Sequence, residues 1–137
     1  MRKKSGRIPR LVAKPLTPAQ LQRMVVGPRM HLHLLLNGIY EHEYAASIGG
    51  LFNVATALAH FKGHAELQAV FDGAQEILVG LMRETRAPDD AEREPLREAF
   101  NLADQWIGIQ DTAILTRAIN YANKEIAAQR KAKADSD

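Results

Sequence analysis

The chain has 137 residues, 46% of them hydrophobic and 25% charged, with 18 Lys plus Arg against 16 Asp plus Glu for a formal net charge of +2. These values suit one soluble globular domain with one core rather than two. Cysteine is absent, which excludes a disulfide scaffold, a Cys zinc site, an iron–sulfur cluster and thiol chemistry. No stretch approaches the ~18 consecutive apolar residues of a membrane span.

Residues 1–16 hold two prolines, one glycine and no helical period. They read as an extended basic arm. The opening MRKKSGR is basic, but IPRLVAKPL supplies no apolar run of ~7–15 residues as a signal peptide needs. The expected location is therefore cytoplasmic. Charge is uneven. Residues 1–40 carry eight basic side chains and no acid, and residues 41–137 carry ten basic against sixteen acidic ones. A leader of +8 thus precedes a body of −6. Such a leader suits a polyanion, so Arg2, Lys3, Lys4, Arg7, Arg10 and Lys14 are candidate nucleic-acid-binding residues. The alternative is an arm folded back on its own acidic body, or simply solvated.

Thr17-Pro18-Ala19-Gln20 places a capping hydroxyl before a first-turn proline, with Gln20 at the third helical position. A helix should start there and be interrupted at Gly27-Pro28. A second helix is predicted over about Arg29–Ile48, on a stripe of Leu32, Leu35, Leu36, Ile39 and Tyr40. Gly49-Gly50 marks a break or a close helix approach. A third helix follows on Leu51, Val54, Ala55, Leu58 and Ala59, with Asn53, Thr56, His60 and Lys62 mostly on its other side and Gly63 as its left-handed cap. Leu67, Val70, Phe71, Ala74, Ile77, Leu78 and Leu81 give the clearest amphipathic stripe, over Ala65 to about Arg86. Gly73 and Gly80 beside it suggest close packing of another helix.

The last third reads as one long helix from about Glu94 to Arg130, with Pro95 in its first turn. A helix of that length spans ~55 Å, more than a compact chain of this size. Either the helix breaks near 108–112, or its far end projects and finds a second copy of the chain. No run reads as a strand. The expected fold is all-α: a four- to five-helix bundle with a long C-terminal helix and an extended basic N-terminal arm. The expected organisation is an arm over 1–16, a bundle over 17–130 and a frayed tail over 131–137.

Catalytic patterns are sparse. His31 and His33 diverge on a helix. His60 and His64 have metal-ligand spacing, but Gly63 between them ends the helix. Glu41-His42-Glu43 adds ligand types without a Glu-x-x-His. No metal site, cofactor or catalytic residue is therefore assigned. His33, Asn37 and Glu41 form a polar line that suits a pocket wall, a solvent edge or a buried network that fixes helix register. A helix-turn-helix over Ala55–Gln75 would present Glu66, Asp72 and Glu76 to phosphates, the wrong sign.

The layout resembles a loose group of small uncharacterised proteins carried on prophages and other mobile elements of proteobacteria. The resemblance rests on the Arg2-Lys3-Lys4 to Ile8-Pro9-Arg10 arm, the Ser47-Ile48-Gly49-Gly50-Leu51 step and the Trp106 to Asp111-Thr112 segment. It implies a phage-associated DNA-binding regulator and brings no catalytic residues. The sequence thus points to a homo-oligomeric helical binding protein, with nucleic acid as partner through its arm. The alternatives are a protein–protein module, such as a phage-borne inhibitor of a host system, and a metal-dependent bundle enzyme.

Overall fold

Thr17 opens the first helix as its residues dictate. The computed structural model of the chain describes residues 17–136; the arm, with Arg2, Lys3, Lys4, Arg7, Arg10 and Lys14, lies outside the described residues. The Gln20 amide donates to Thr17 Oγ1 at 3.2 Å, and the Thr17 amide donates to Gln20 Oε1 at 2.8 Å. This reciprocal box satisfies two amides that have no partner within the helix. Helix α1 runs Pro18–Leu36 and α2 runs His42–Phe61. Helix α3 is Ala65–Glu84, α4 is Asp90–Gly108 and α5 is Thr112–Ser136. The fold is all-α, with five helices and no strand among the described residues.

Two predicted boundaries fall elsewhere. Pro28 lies inside α1 rather than ending it. The missing amide costs a helical hydrogen bond. Met24 and Val25 before it and buried Leu32 and Leu35 after it pack on one core, which holds the axis continuous. The break comes at Asn37–Glu41 instead. Gly38 takes φ +86°, its amide donates to Leu35 O at 3.0 Å, and the Ile39 amide donates to Leu34 O at 3.0 Å. That pair of bonds is a Schellman end. The same device closes α2, where Gly63 takes φ +67° and the His64 amide donates to Ala59 O at 2.8 Å.

Gly49 and Gly50 do not break α2; they lie within it. Gly49 lets α3 come close. A Cβ there would stand 3.3 Å from Gln75 Oε1 and 3.8 Å from Leu78 Cδ1. By contrast, nothing lies within 4 Å of a Cβ at Gly73 or Gly80. The helix packing expected at those two positions is not made among the described residues.

The long terminal helix divides. Helix α4 starts earlier than predicted, at a box in which Asp89 Oδ1 and Glu92 Oε1 each accept the other residue's amide at 3.0 Å. Pro95 therefore sits inside α4, not in its first turn. The chain then turns at Ile109–Asp111, and Asp111 Oδ1 accepts the Ala113 amide at 2.7 Å to start α5. Helix α5 continues through residues 131–136, which the sequence reading assigns to a frayed tail. Its 25 residues span about 38 Å at ~1.5 Å per residue. The division removes the geometric reason for dimerisation along one continuous rod.

Helix α2 is the centre. It packs against α1, α3, α4 and α5, and its buried residues include Ala45, Ile48, Leu51, Phe52, Val54, Ala55 and Leu58. Periodicity there is weak because the helix is covered on several sides. Phe52 meets Phe71 of α3 at 6.1 Å and Phe100 of α4 edge-on at 6.5 Å between ring centroids. These three fully buried rings join the elements, each contributing several kcal/mol, about 3–5 for a Phe cut to Ala.

Candidate functional site

The exposed face of α5 carries the chemistry that stands out. Helix geometry aligns Arg117, Tyr121, Lys124 and Lys131 within about 80° of arc. All four are exposed. Ala128 fills the gap between the last two, and Glu125 lies round the side. Counting charge by element sharpens this picture. Residues 41–111 hold thirteen acidic and five basic side chains, whereas residues 112–137 hold five basic and three acidic ones. The body's negative charge thus sits in the middle of the chain, and α5 shares the sign of the leader. The leader's last basic residue, Arg29, is already engaged: it pairs with Asp104 of α4 and lies over the Phe100 ring at 5.5 Å.

Beside this stripe α2, α3 and α5 enclose a cleft of about 360 Å³. Helix α2 lends Asn53, Thr56 and His60, α3 lends Gln68, and α5 lends Tyr121, Glu125 and Gln129. The α2 residues reach it because they lie on the one polar strip of an otherwise buried helix. The His60 ring stacks on Tyr121 at 6.0 Å and 19°, and Phe61 meets Tyr121 edge-on at 5.4 Å. Arg117 lies over Phe61 at 5.3 Å. The cation, the three rings and the cleft are therefore contiguous.

Asn53 is held in one orientation. Gln75 Nε2 donates to Asn53 Oδ1 at 2.7 Å and to Gly49 O at 3.0 Å. The Asn53 carbonyl is thus occupied, and its NH₂ has no acceptor among the described residues. Thr56 Oγ1 is buried with no hydrogen-bond partner among them either. A buried hydroxyl without a partner costs free energy, about 1–3 kcal/mol, and such a group commonly meets a ligand or a water.

The histidines separate into structural and cleft roles. His64 caps α3: its Nδ1 accepts the Leu67 amide at 3.3 Å, and its ring meets Trp106 edge-on at 5.6 Å. His60 is committed to Tyr121. The pair thus serves as a cap and a stacked ring. Among the described residues no group of three or more His, Asp or Glu could hold a metal ion. His31 stacks on Tyr44 at 4.9 Å. The His33–Asn37–Glu41 line is a solvent edge, with all three residues exposed. Asn37 Nδ2 donates to His33 O at 2.7 Å as part of the α1 end, and Glu41 begins α2.

A second hollow, of about 430 Å³, lies between α1 and α4, lined by Val25, Val26, Arg29, Asp104 and Ile107. Val26 of its lining is 56% exposed, and Met30, one turn further along α1, is 59% exposed.

The α5 stripe was missed by reading the sequence, although its signal was present as basic residues seven apart at 117, 124 and 131. Summing all charge after residue 40 buried it in the acidic total. Among the described residues no helix is long and apolar enough to cross a membrane. No family model, no curated protein and no solved structure matches this chain.

Proposed function

We propose that this protein works by binding nucleic acid as a small regulatory or accessory factor. In this reading the basic arm and the Arg117–Lys131 face of α5 follow the phosphate backbone. The carrying observation is the segregation of charge. Both ends of the chain are basic, the middle is acidic, and the basic face of α5 presents Tyr121 between cations. Cations aligned on a helix neutralise successive phosphates and release counterions, so binding weakens with salt. An interleaved aromatic ring adds a surface for bases. Catalysis has no comparable support, because the cleft gathers one carboxylate and one imidazole among amides and hydroxyls.

The test is fluorescence anisotropy of a labelled single-stranded oligonucleotide over a range of salt. One variant reverses Arg2, Lys3, Lys4, Arg7 and Arg10 to Glu; the other reverses Arg117, Lys124 and Lys131. Each should weaken binding and flatten the salt dependence. Loss of three phosphate contacts lowers the log–log slope by about 2 for a single strand. Unchanged binding in both variants, or none by the wild type, overturns the reading.

The exposed Val26, which lines the α1–α4 hollow, and the exposed Met30 one turn along the same helix favour a second reading, a protein-binding module. Val26→Asp with Met30→Asp separates the two. It should leave oligonucleotide affinity unchanged if the α5 face carries function.

A further inference from the structure

The cleft beside the α5 stripe holds hydrogen-bonding groups that phosphate contacts leave unused. We infer that it receives one unpaired nucleobase of the strand that follows α5, stacked on the His60–Tyr121 ring pair, with its polar edge met by Asn53, Thr56 and Gln68. The inference rests on the nucleic-acid reading and adds the part of the strand that enters the protein.

Three observations point to a base rather than a phosphate or an apolar ligand. The lining is mostly neutral and hydrogen-bonding, and its carboxylate, Glu125, repels a phosphate while accepting from an exocyclic amino group. The cations of the stripe lie outside the lining, with Arg117 beside the ring cluster. The backbone would therefore stay outside while a base turns in. Second, the ring pair is open to a third partner: His60 is exposed and Tyr121 is 39% exposed. Every base has a π-face, so stacking there tolerates sequence. Third, two groups stand ready at the edge. The Gln75 bonds turn the Asn53 NH₂ into a fixed donor, and Thr56 Oγ1 is buried without a partner among the described residues. A volume of about 360 Å³ falls in the range of small-ligand sites, roughly 300–1,000 Å³.

A duplex hides base faces in its own stack, so the site selects single strands, loops or ends. Glu125 and the Asn53 NH₂ together offer an acceptor and a donor, the pair that the amino and ring-nitrogen edge of cytosine or adenine requires.

The experiment uses the full chain and two labelled strands of equal length, one carrying bases and one abasic throughout. Wild type should bind the base-bearing strand on the order of tenfold more tightly. Tyr121→Leu should abolish that preference without changing the salt slope, and Tyr121→Phe should keep it. Thr56→Val, which replaces the hydroxyl at constant shape, should reduce it. In a parallel titration, free adenosine and cytidine should shift the Asn53 and Gln68 side-chain amide resonances, and glucose should not. Equal binding of the two strands by wild type overturns the base pocket and leaves the phosphate reading standing. So does a preference that survives Tyr121→Leu, or a cleft that responds to glucose alone. Binding of neither strand overturns the nucleic-acid reading, and the pocket with it.

Discussion

Thr85 ends α3 with φ +50°, a left-handed conformation that disfavours a β-branched side chain by roughly 1–2 kcal/mol. It stands where Gly38 and Gly63 stand at the ends of α1 and α2. The Thr85 amide donates to Leu81 O, and the Arg86 amide donates to the same carbonyl at 3.2 Å. Among the described residues Thr85 Oγ1 bonds only the neighbouring Glu84 carbonyl, at 2.8 Å. Thr85→Gly should therefore raise stability by about 0.5–1 kcal/mol, the relieved strain less glycine's added unfolded-state entropy. Chemical denaturation monitored by circular dichroism checks this. One residue on, Arg86 donates to Glu92 Oε1 at 2.6 Å and to Oε2 at 3.1 Å, and it also pairs with Glu84. The Arg86 hydrogen bond holds the Glu92 carboxyl below its ordinary value of 4.5 against partial burial, and the Asp89 amide assists. A carboxyl depressed in the folded state stabilises above its unfolded value and loses that contribution as pH falls through the folded value. Glu92→Gln keeps the capping box and removes the charge. It should lower the denaturation midpoint at pH 7, and the deficit should shrink as pH falls through the depressed folded value of Glu92. A deficit that persists in acid would assign the effect to packing.

At the scale of elements, the difference between Gly49 and Gly50 is whether α3 stands opposite. Nothing lies within 4 Å of a Cβ at Gly50, while Gly49 faces Gln75 and Leu78. Ala improves helix propensity by about 0.5–1 kcal/mol over Gly. Gly50→Ala should gain that amount. Gly49→Ala should gain less or nothing, because the new methyl presses on a Gln75 side chain already committed to Gly49 O and Asn53. Thermal melts of the two variants should differ by a few degrees. The same pair shows what a sequence can and cannot carry. Two adjacent glycines in an apolar run read as a break or as a close helix approach; the break is not made, and Gly49 is the close approach. Burial of α2 by its neighbours overrides propensity there, as it does at Pro28. Where local chemistry suffices, local reading succeeds: the Thr17–Gln20 box and the Gly63 cap appear as written, and so does the stripe of α3 apart from Val70, which is 40% exposed. The end of α1 at Asn37–Gly38 was legible too, as an Asn-Gly step after Leu36. The continuing apolar pattern through Ile39 and Tyr40 masked it. Ile39 is 48% exposed, so it belongs to the turn and not to the stripe.

For the whole molecule, the charge pattern decides how a strand would approach. Helix α5 packs on α2, whereas α4, with Glu94 and Glu98, packs against α3, α2 and α1. The uneven leader and body were visible by counting. Which side of the fold turns its cations outward was not, because it depends on α5 laying its Leu115, Ala118 and Ala122 row on the core. The cleft is likewise a product of packing: Asn53, Thr56 and His60 and the Tyr121 ring are visible in the sequence as separate features, but only packing joins them. Screening turns this arrangement into a ranking. At ~0.15 M salt the Debye length is about 8 Å, so only charges near the bound phosphates count in full. Lys124→Glu, on the exposed α5 face, should weaken oligonucleotide binding at least severalfold at that ionic strength. Glu98→Lys makes an equal and opposite change of charge on α4, and it should strengthen binding by less than twofold. Lowering the salt tenfold lengthens the Debye length to about 25 Å, so the Glu98→Lys effect should grow toward that of Lys124→Glu. Two variants of equal and opposite effect at both ionic strengths would mean that the strand senses net charge alone and that the α5 face has no privileged role.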